Sequence, residues 1–253
     1  MLAISNQTSA FERSVMTCIS PPIVAREETP VEELARVLKE SANIAIVDEL
    51  ESVVGVVSRT DLVAAGVQGR RMQTAADIMT RGAVTIPSTS TIRGAACAMA
   101  AHAIHHIYVT ERRLLMGVVS TLDIVAAVRD ARIGAALSTI MTAPPIMISV
   151  GTEIGVAIDL LSRVRVSGLV VVDDGKPMGT FTHLDAIMAR GVARTTPIDD
   201  YYEPAVVCLP ASTPLHTVAR DVLRLGTQRV IACSEREIVG IATSLDFTRY
   251  VAW

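Results

Sequence analysis

Gly55-Val56-Val57-Ser58-Arg59-Thr60-Asp61 decides the reading of this chain, because the same seven-residue pattern returns three more times. It comes back as Gly117-Val118-Val119-Ser120-Thr121-Leu122-Asp123, as Gly179-Thr180-Phe181-Thr182-His183-Leu184-Asp185, and as Gly240-Ile241-Ala242-Thr243-Ser244-Leu245-Asp246. Successive glycines stand 62, 62 and 61 residues apart. A fixed period of this length means that the chain is four copies of one structural unit, and the unit must be read before the fold.

Working outward, a helix precedes each pattern. Its apolar positions keep one phase: Val31, Leu34, Ala35, Leu38; Ile92, Ala95, Ala96, Met99; Ile154, Ala157, Ile158, Leu161; and Leu215, Val218, Ala219, Val222. Each set follows the i, i+3, i+4, i+7 spacing of one helix face. Thr29-Pro30 and Thr213-Pro214 read as N-cap and first helical residue, with Thr91 and Thr152 as the caps of the other two helices. Between helix and pattern lie two short Val- and Ile-rich runs separated by polar turns such as Asp173-Asp174-Gly175-Lys176, which predict hairpins. A second, shorter helix starts at each Ser or Thr of the pattern, and a first strand falls near Ile23-Val24, Val84–Ile86, Ile146–Ile148 and Val206–Leu209. The expected fold class is therefore α/β (α+β), with four repeats of strand, helix, strand, strand, helix. A unit of about 60 residues buries little surface alone, so the repeats are expected to pair into two modules.

The 253 residues are half apolar, yet no uninterrupted apolar run reaches the roughly 18 residues of a membrane-spanning helix. Met1–Glu12 lacks a positive flank ahead of an apolar core, which makes it a poor signal peptide and predicts a cytoplasmic protein. Net charge is −3, and no basic run exceeds the pairs Arg70-Arg71 and Arg112-Arg113, so neither duplex DNA nor an anionic membrane is an expected partner. Three Phe, four Tyr and one Trp supply few stacking platforms for single-stranded nucleic acid. Cys18, Cys97, Cys208 and Cys233 show no paired metal-ligand spacing and read as small buried apolar residues; no metal site is expected.

The four patterns, the unit length and the opening Met-Thr pairs at Met16-Thr17, Met79-Thr80 and Met141-Thr142 resemble the cystathionine β-synthase (CBS) domain family, from about Ser14 to Trp253. The fourth unit departs by carrying Glu203 at the Thr position. The resemblance implies that consecutive repeats associate about a pseudo-twofold axis: a module over 10–130 (repeats about 14–66 and 77–129) and one over 131–253 (repeats about 138–190 and 197–252). Connectors are expected over Val67–Ala75, Arg129–Leu137 and Gly191–Thr196. The resemblance further implies clefts between paired repeats that bind an adenosine-containing ligand such as AMP, ADP, ATP or S-adenosylmethionine, in the service of an unidentified protein target. It points to Thr17, Thr80 and Thr142 for the base, together with the residues just before the second strand: Ala42-Asn43, His105-His106, Ser167-Gly168 and Gln228-Arg229.

The chemistry of the pattern has two readings that coexist. Ser58, Ser120, Thr182 and Thr243, each followed three residues later by Asp61, Asp123, Asp185 or Asp246, form helix capping boxes. The same helix ends present unpaired N–H groups suited to phosphate, and the carboxylates suit the paired hydroxyls of a ribose. The residue after the hydroxyl then projects near the phosphate. It is Arg59, permanently charged, in the first unit and His183, charged only when protonated, in the third; Thr121 and Ser244 stand in the second and fourth. Nothing in the pattern pairs a nucleophile with a base, so no enzyme and no cofactor is expected. The alternative function is a structural module with vestigial clefts that forms a homodimer through exit helices such as Asp123–Val128.

Overall fold

The computed structural model describes residues 9–67, 73–164, 166–204, 206–235 and 237–253. Residues 1–8 of the N-terminal stretch and 68–72 of the first connector lie outside these. Each repeat forms the expected elements. The first contains β1 (Val24–Ala25), α1 (Val31–Glu40), β2 (Asn43–Val47), β3 (Val53–Ser58) and α2 (Arg59–Val67), followed by the short α3 (Ala75–Ile78) and β4 (Thr80–Arg81). The second contains β5 (Thr85–Pro87), α4 (Ile92–His102), β6 (His106–Glu111), β7 (Leu114–Ser120) and α5 (Thr121–Asp130). The third has β8 (Met147–Ser149), α6 (Ile154–Val164), β9 (Gly168–Asp173), β10 (Lys176–Thr182) and α7 (His183–Met188); the fourth has β11 (Cys208–Pro210), α8 (Leu215–Leu225), β12 (Arg229–Ser234), β13 (Glu237–Thr243) and α9 (Ser244–Ala252).

The helical phases hold. Val31, Leu34 and Leu38 are buried on α1; Ile92, Ala95, Ala96 and Met99 on α4; Ile154, Ala157 and Leu161 on α6; Leu215, Val218, Ala219 and Val222 on α8. The caps are partly different. Thr91 caps α4 by accepting from the Gly94 N–H at 3.1 Å. Pro30 and Pro214 themselves occupy the N-cap positions of α1 and α8, in extended conformation. The hydroxyl of Thr29 turns away to accept from the Arg26 N–H, and that of Thr152 donates to the Ser149 carbonyl. These threonines close turns ahead of their helices rather than satisfying helical N–H groups.

In each repeat a parallel first strand joins an antiparallel hairpin. The hairpin partners include Ile44 with Val57, Ile107 with Val119, Leu169 with Phe181 and Val230 with Ala242. Each hairpin carries a register shift close to the pattern glycine, which raises local twist. The first strands begin one or two residues later than their apolar runs, because pairing extends into Ala25, Pro87, Ser149 and Pro210.

The chain divides into two compact units. One comprises 1–22, 84–145 and 207–253, the other 23–83 and 146–206. The first unit therefore combines the second and fourth repeats, and the other unit the first and third, whereas the sequence groups neighbours over 10–130 and 131–253. Each unit has its own core. In the first, α5 packs on α8 and α9, and α4 on α9, enclosing Met99, Ile124, Val128, Val218 and Phe247. In the second, α7 packs on α1, α2 and α6 around Leu34, Leu38, Leu161, Phe181 and Ile187. Ile124, Val125, Ala127 and Val128, expected to offer a self-association surface, are at most 1% exposed. Their apolar face is consumed within the chain. Among the described residues no helix is long and apolar enough to cross a membrane.

Within each compact unit, a pattern strand receives a short lead segment that precedes a different repeat in the sequence, an exchange of leads. Thr80-Arg81, ahead of the second repeat, pairs with Val56 and Gly55 of the first, and Ser20, ahead of the first, bridges to Val118 of the second. Likewise Thr142 bridges to Ile241, and Glu203 to Thr180. The pattern glycine makes this possible. A Cβ at Gly55 would lie 2.7 Å from the Met79 sulfur, at Gly117 3.0 Å from the Ser20 carbonyl oxygen, and at Gly179 2.3 Å from the Glu203 carbonyl oxygen. At Gly240 it would meet the Met141 sulfur at 2.7 Å.

Gly179→Ala is thus expected to lower stability by about 1–3 kcal/mol, since overpacking against backbone cannot relax by a rotamer change. Gly134→Ala, with nothing within 4 Å of the added carbon, is the control. Thermal melts should show a lower midpoint for the first and little change for the second.

Candidate functional site

The hydroxyl and carboxylate of every pattern meet where the third strand turns into its helix. Oδ2 of Asp61 accepts from the Ser58 N–H at 2.8 Å and from the Ser58 hydroxyl at 2.5 Å. Asp123 treats Ser120 in the same way at 2.7 and 2.7 Å, Asp185 treats Thr182 at 2.7 and 2.7 Å, and Asp246 treats Thr243 at 2.8 and 2.8 Å. One carboxylate oxygen, Oδ2, is therefore committed to the cap at all four positions, and Oδ1 of Asp61 and of Asp246 takes a different partner.

The residue expected at the base stands beside each cap. In the hairpin ladders Asn43 pairs with Ser58, His106 with Ser120, Gly168 with Thr182 and Arg229 with Thr243. The lead segments complete the set. Thr80 donates from its hydroxyl to Oδ1 of Asp61 at 3.1 Å, and Thr142 is bridged to the strand that ends in Thr243.

Thr17 is not the equivalent residue. Its hydroxyl donates to the Ser14 carbonyl at 2.7 Å, and Ser20 holds the position beside the Gly117 strand. Spacing carried the signal. Thr80, Thr142 and Glu203 each lie 12 residues before the first residue of the next long helix, Ser20 lies 11 before Val31, and Thr17 lies 14 before it. The exchange also moves the departure at Glu203: this residue lies against Thr180, in the third repeat, not the fourth.

The position after the hydroxyl differs between the two units. Thr121 and Ser244, expected near phosphate, are 2% and 1% exposed, and the Thr121 hydroxyl donates to that of Ser244 at 2.8 Å. They join α5 to α9. The corresponding residues of the other unit are Arg59 and His183. Arg59 donates to the Leu38 carbonyl at 2.8 Å, which places its charge at the C-terminal end of α1 where it satisfies an orphan carbonyl. Burial draws its pKa down and the nearby Asp185 carboxylate opposes that shift, so this arginine lies within electrostatic reach of the third repeat's site.

Asp246 is the most enclosed of the four carboxylates, at 7% exposure, and its Oδ1 already receives Arg249 at 2.9 Å. No sequence signal beyond the i, i+3 spacing marks this ion pair. A cavity of about 580 Å³ opens beside it, lined by Phe11, Arg93, Thr139, Arg249 and Trp253 among others. Arg93 is engaged there, with the Glu12 carboxylate and the Val251 carbonyl.

A sequence profile of the CBS domain matches residues 13–67, 75–130 and 137–191. The chain belongs to the CBS domain family. Residues 197–252 lie outside those matches, yet they repeat the element order and the capping box of the CBS repeats before them. The chain is 27% identical over 187 residues to the uncharacterized protein MJ1225 of Methanocaldococcus jannaschii, spanning 66% of this chain and 67% of that protein. The crystal structure of MJ1225, described as a candidate archaeal homolog of g-AMPK, is similar over 94% of this chain and 99% of that one, with a TM-score of 0.84 at 15% identity. An uncharacterized conserved protein of Pyrococcus horikoshii is similar over the same shares with a TM-score of 0.69, also at 15% identity. These structural likenesses show a shared fold over nearly the whole chain.

His105 gives the surroundings of Asp246 a pH dependence. Burial is the main cause that lowers its pKa from 6.5; Arg229 lowers it further, Asp246 opposes, and Arg249 lowers it again. The unfolded chain then binds a proton that the folded chain refuses, so the stability associated with neutral His105 is present above about pH 6.5 and is lost as pH falls toward its folded value. His105→Gln removes this difference. Melting curves between pH 7.5 and about 5 should show a shallower acid-side decline for the variant; an unchanged slope would place the pH dependence elsewhere.

Proposed function

We propose that this chain is a non-catalytic regulatory protein that binds an adenosine-containing ligand, AMP, ADP, ATP or S-adenosylmethionine, at the strand-to-helix ends of its CBS repeats. The observation that carries the reading is the division of labour within each carboxylate: Oδ2 closes the cap, while at Asp61 and Asp123 Oδ1 is not held by a cationic side chain among the described residues. A ribose presents two adjacent hydroxyl donors to such an oxygen, and a hydrogen bond to a charged acceptor contributes roughly 1.5–3 kcal/mol. The helix N-terminus beside it suits a phosphate. Asn43 with Thr80, and His106 with Ser20, are the residues proposed to face the base in the first and second repeats. Gly168, His183 and Glu203 surround the third. Thr142 and Arg229 flank the fourth, whose carboxylate is already occupied by Arg249.

The consecutive modules over 10–130 and 131–253 belong to this proposal. A ligand that bridges a lead segment and a capping carboxylate stiffens the contact between them. It regulates a protein target only by its differential affinity for two arrangements. The proposed setting is the cytoplasm, with no membrane or nucleic acid as partner and no metal at the adenosine-ligand sites.

Calorimetric titration with AMP, ADP, ATP and S-adenosylmethionine tests the reading. At least one should bind. Asp61→Ala and Asp123→Ala should each remove one site or weaken it by about one to two orders of magnitude, the loss of roughly 2 kcal/mol. Asp246→Ala should change binding little. Absence of heat with all four ligands would contradict the proposal, and melting points lowered with affinities unchanged would leave the carboxylates as caps alone.

A further inference from the structure

Cys208 and Cys233 read from the sequence as unrelated apolar residues, 25 positions apart. The fold brings them together. β11 and β12 are parallel, with Cys208 opposite Ile231 and Pro210 opposite Cys233. Residues two apart along a strand share a face, so the two thiols lie diagonally on one face of the sheet. Cys208 is exposed and Cys233 partly exposed. Both line an open cavity of about 490 Å³, with Pro210, Ser212, Ser234 and Glu235 around its rim. None of the capping or ribose residues described above lines this cavity.

We propose that Cys208 and Cys233 form a two-thiolate site for one soft monovalent cation, with Cu(I) as its representative. Three observations favour this over the alternatives open to a thiol pair. Soft sulfur ligands select soft ions, and a low coordination number suits Cu(I). Among the described residues no group of three or more His, Cys, Asp or Glu is positioned around a common point, which is what a tetrahedral zinc site would require. A disulfide is disfavoured by the diagonal register. Strand spacing and rise put the two Cα atoms about 8 Å apart, beyond the roughly 7 Å that a disulfide bridges without backbone movement. An interposed ion spans a separation that an S–S bond does not.

Binding breaks two S–H bonds, forms two Cu–S bonds and releases two protons to solvent, with no change in oxidation state. The open cavity gives the ion its route in, and the solvent-exposed position tolerates the single negative charge of the resulting complex.

The test uses the reduced, full-length chain under anaerobic conditions, with Cu(I) supplied from a coloured Cu(I) chelator. One Cu(I) per chain should leave the chelator, with a sulfur-to-copper charge-transfer band in the near ultraviolet. Cys208→Ser and Cys233→Ser should each weaken binding by about two orders of magnitude, while Cys18→Ser and Cys97→Ser leave it unchanged. Should Cys233→Ser fail to fold, the exposed Cys208→Ser carries the test. Failure to compete with the chelator, or competition that survives Cys208→Ser, overturns the proposal. So does ready air oxidation of the pair to a product two hydrogens lighter, which would make it a disulfide couple.

Discussion

Everything in this chain depends on four glycines that let a neighbour's backbone lie flat on a strand. Gly55, Gly117, Gly179 and Gly240 each leave the gap into which a lead segment settles, and a single Cβ would bring carbon to within 2.3–3.0 Å of atoms already there. A repeat of about 60 residues has too little interior to stand alone. Here a lead segment lies along the pattern strand of each repeat, inside the same compact unit. The same contact delivers Thr80 to Asp61. Packing constraint and candidate binding site are thus one feature, six residues apart on β3 and its helix.

The capping carboxylate is the second constraint. Four helices begin with the same geometry because Asp at the third helical position accepts from both the N–H and the hydroxyl of the residue that starts them. Each such cap contributes about 1 kcal/mol, enough to explain the pattern's presence without any ligand. What distinguishes the sites is the other oxygen. At Asp61 it meets a neutral hydroxyl and at Asp246 a guanidinium. Two carboxylates with identical caps therefore differ in what they offer a ligand.

The sequence made the local features readable and the distant ones not. Helix phases, hairpins and capping boxes follow from periods of 3.6 and 2 along a continuous stretch, while the family resemblance points to Asn43, His106, Gly168 and Arg229, which pair in the ladders with the cap residues. The pairing of Thr121 with Ser244, 123 positions away, follows from α5 meeting α9, which no local period encodes. Arg59 was legible as a cation at a helix start, but its length lets it reach back to Leu38, and only packing decides that direction. The dithiol of Cys208 and Cys233 was hidden for the same reason, since metal-ligand spacing rules describe hairpins and helix turns and not diagonal neighbours on parallel strands. The Met-Thr dipeptide points to Thr17, whereas the structure places Ser20 beside the Gly117 strand and turns the Thr17 hydroxyl to the Ser14 carbonyl.

The central claim is that Oδ1 of Asp61 and Asp123, the oxygen not used by the cap, is the one that receives ligand. A crystal structure of the protein grown with AMP tests it directly. The account predicts ribose hydroxyls on Oδ1 of Asp61 or Asp123, with Oδ2 still bound to its Ser and the lead segment in contact with the base. Nucleotide bound away from these carboxylates, or ribose at Asp246 with Arg249 still in place, would contradict it.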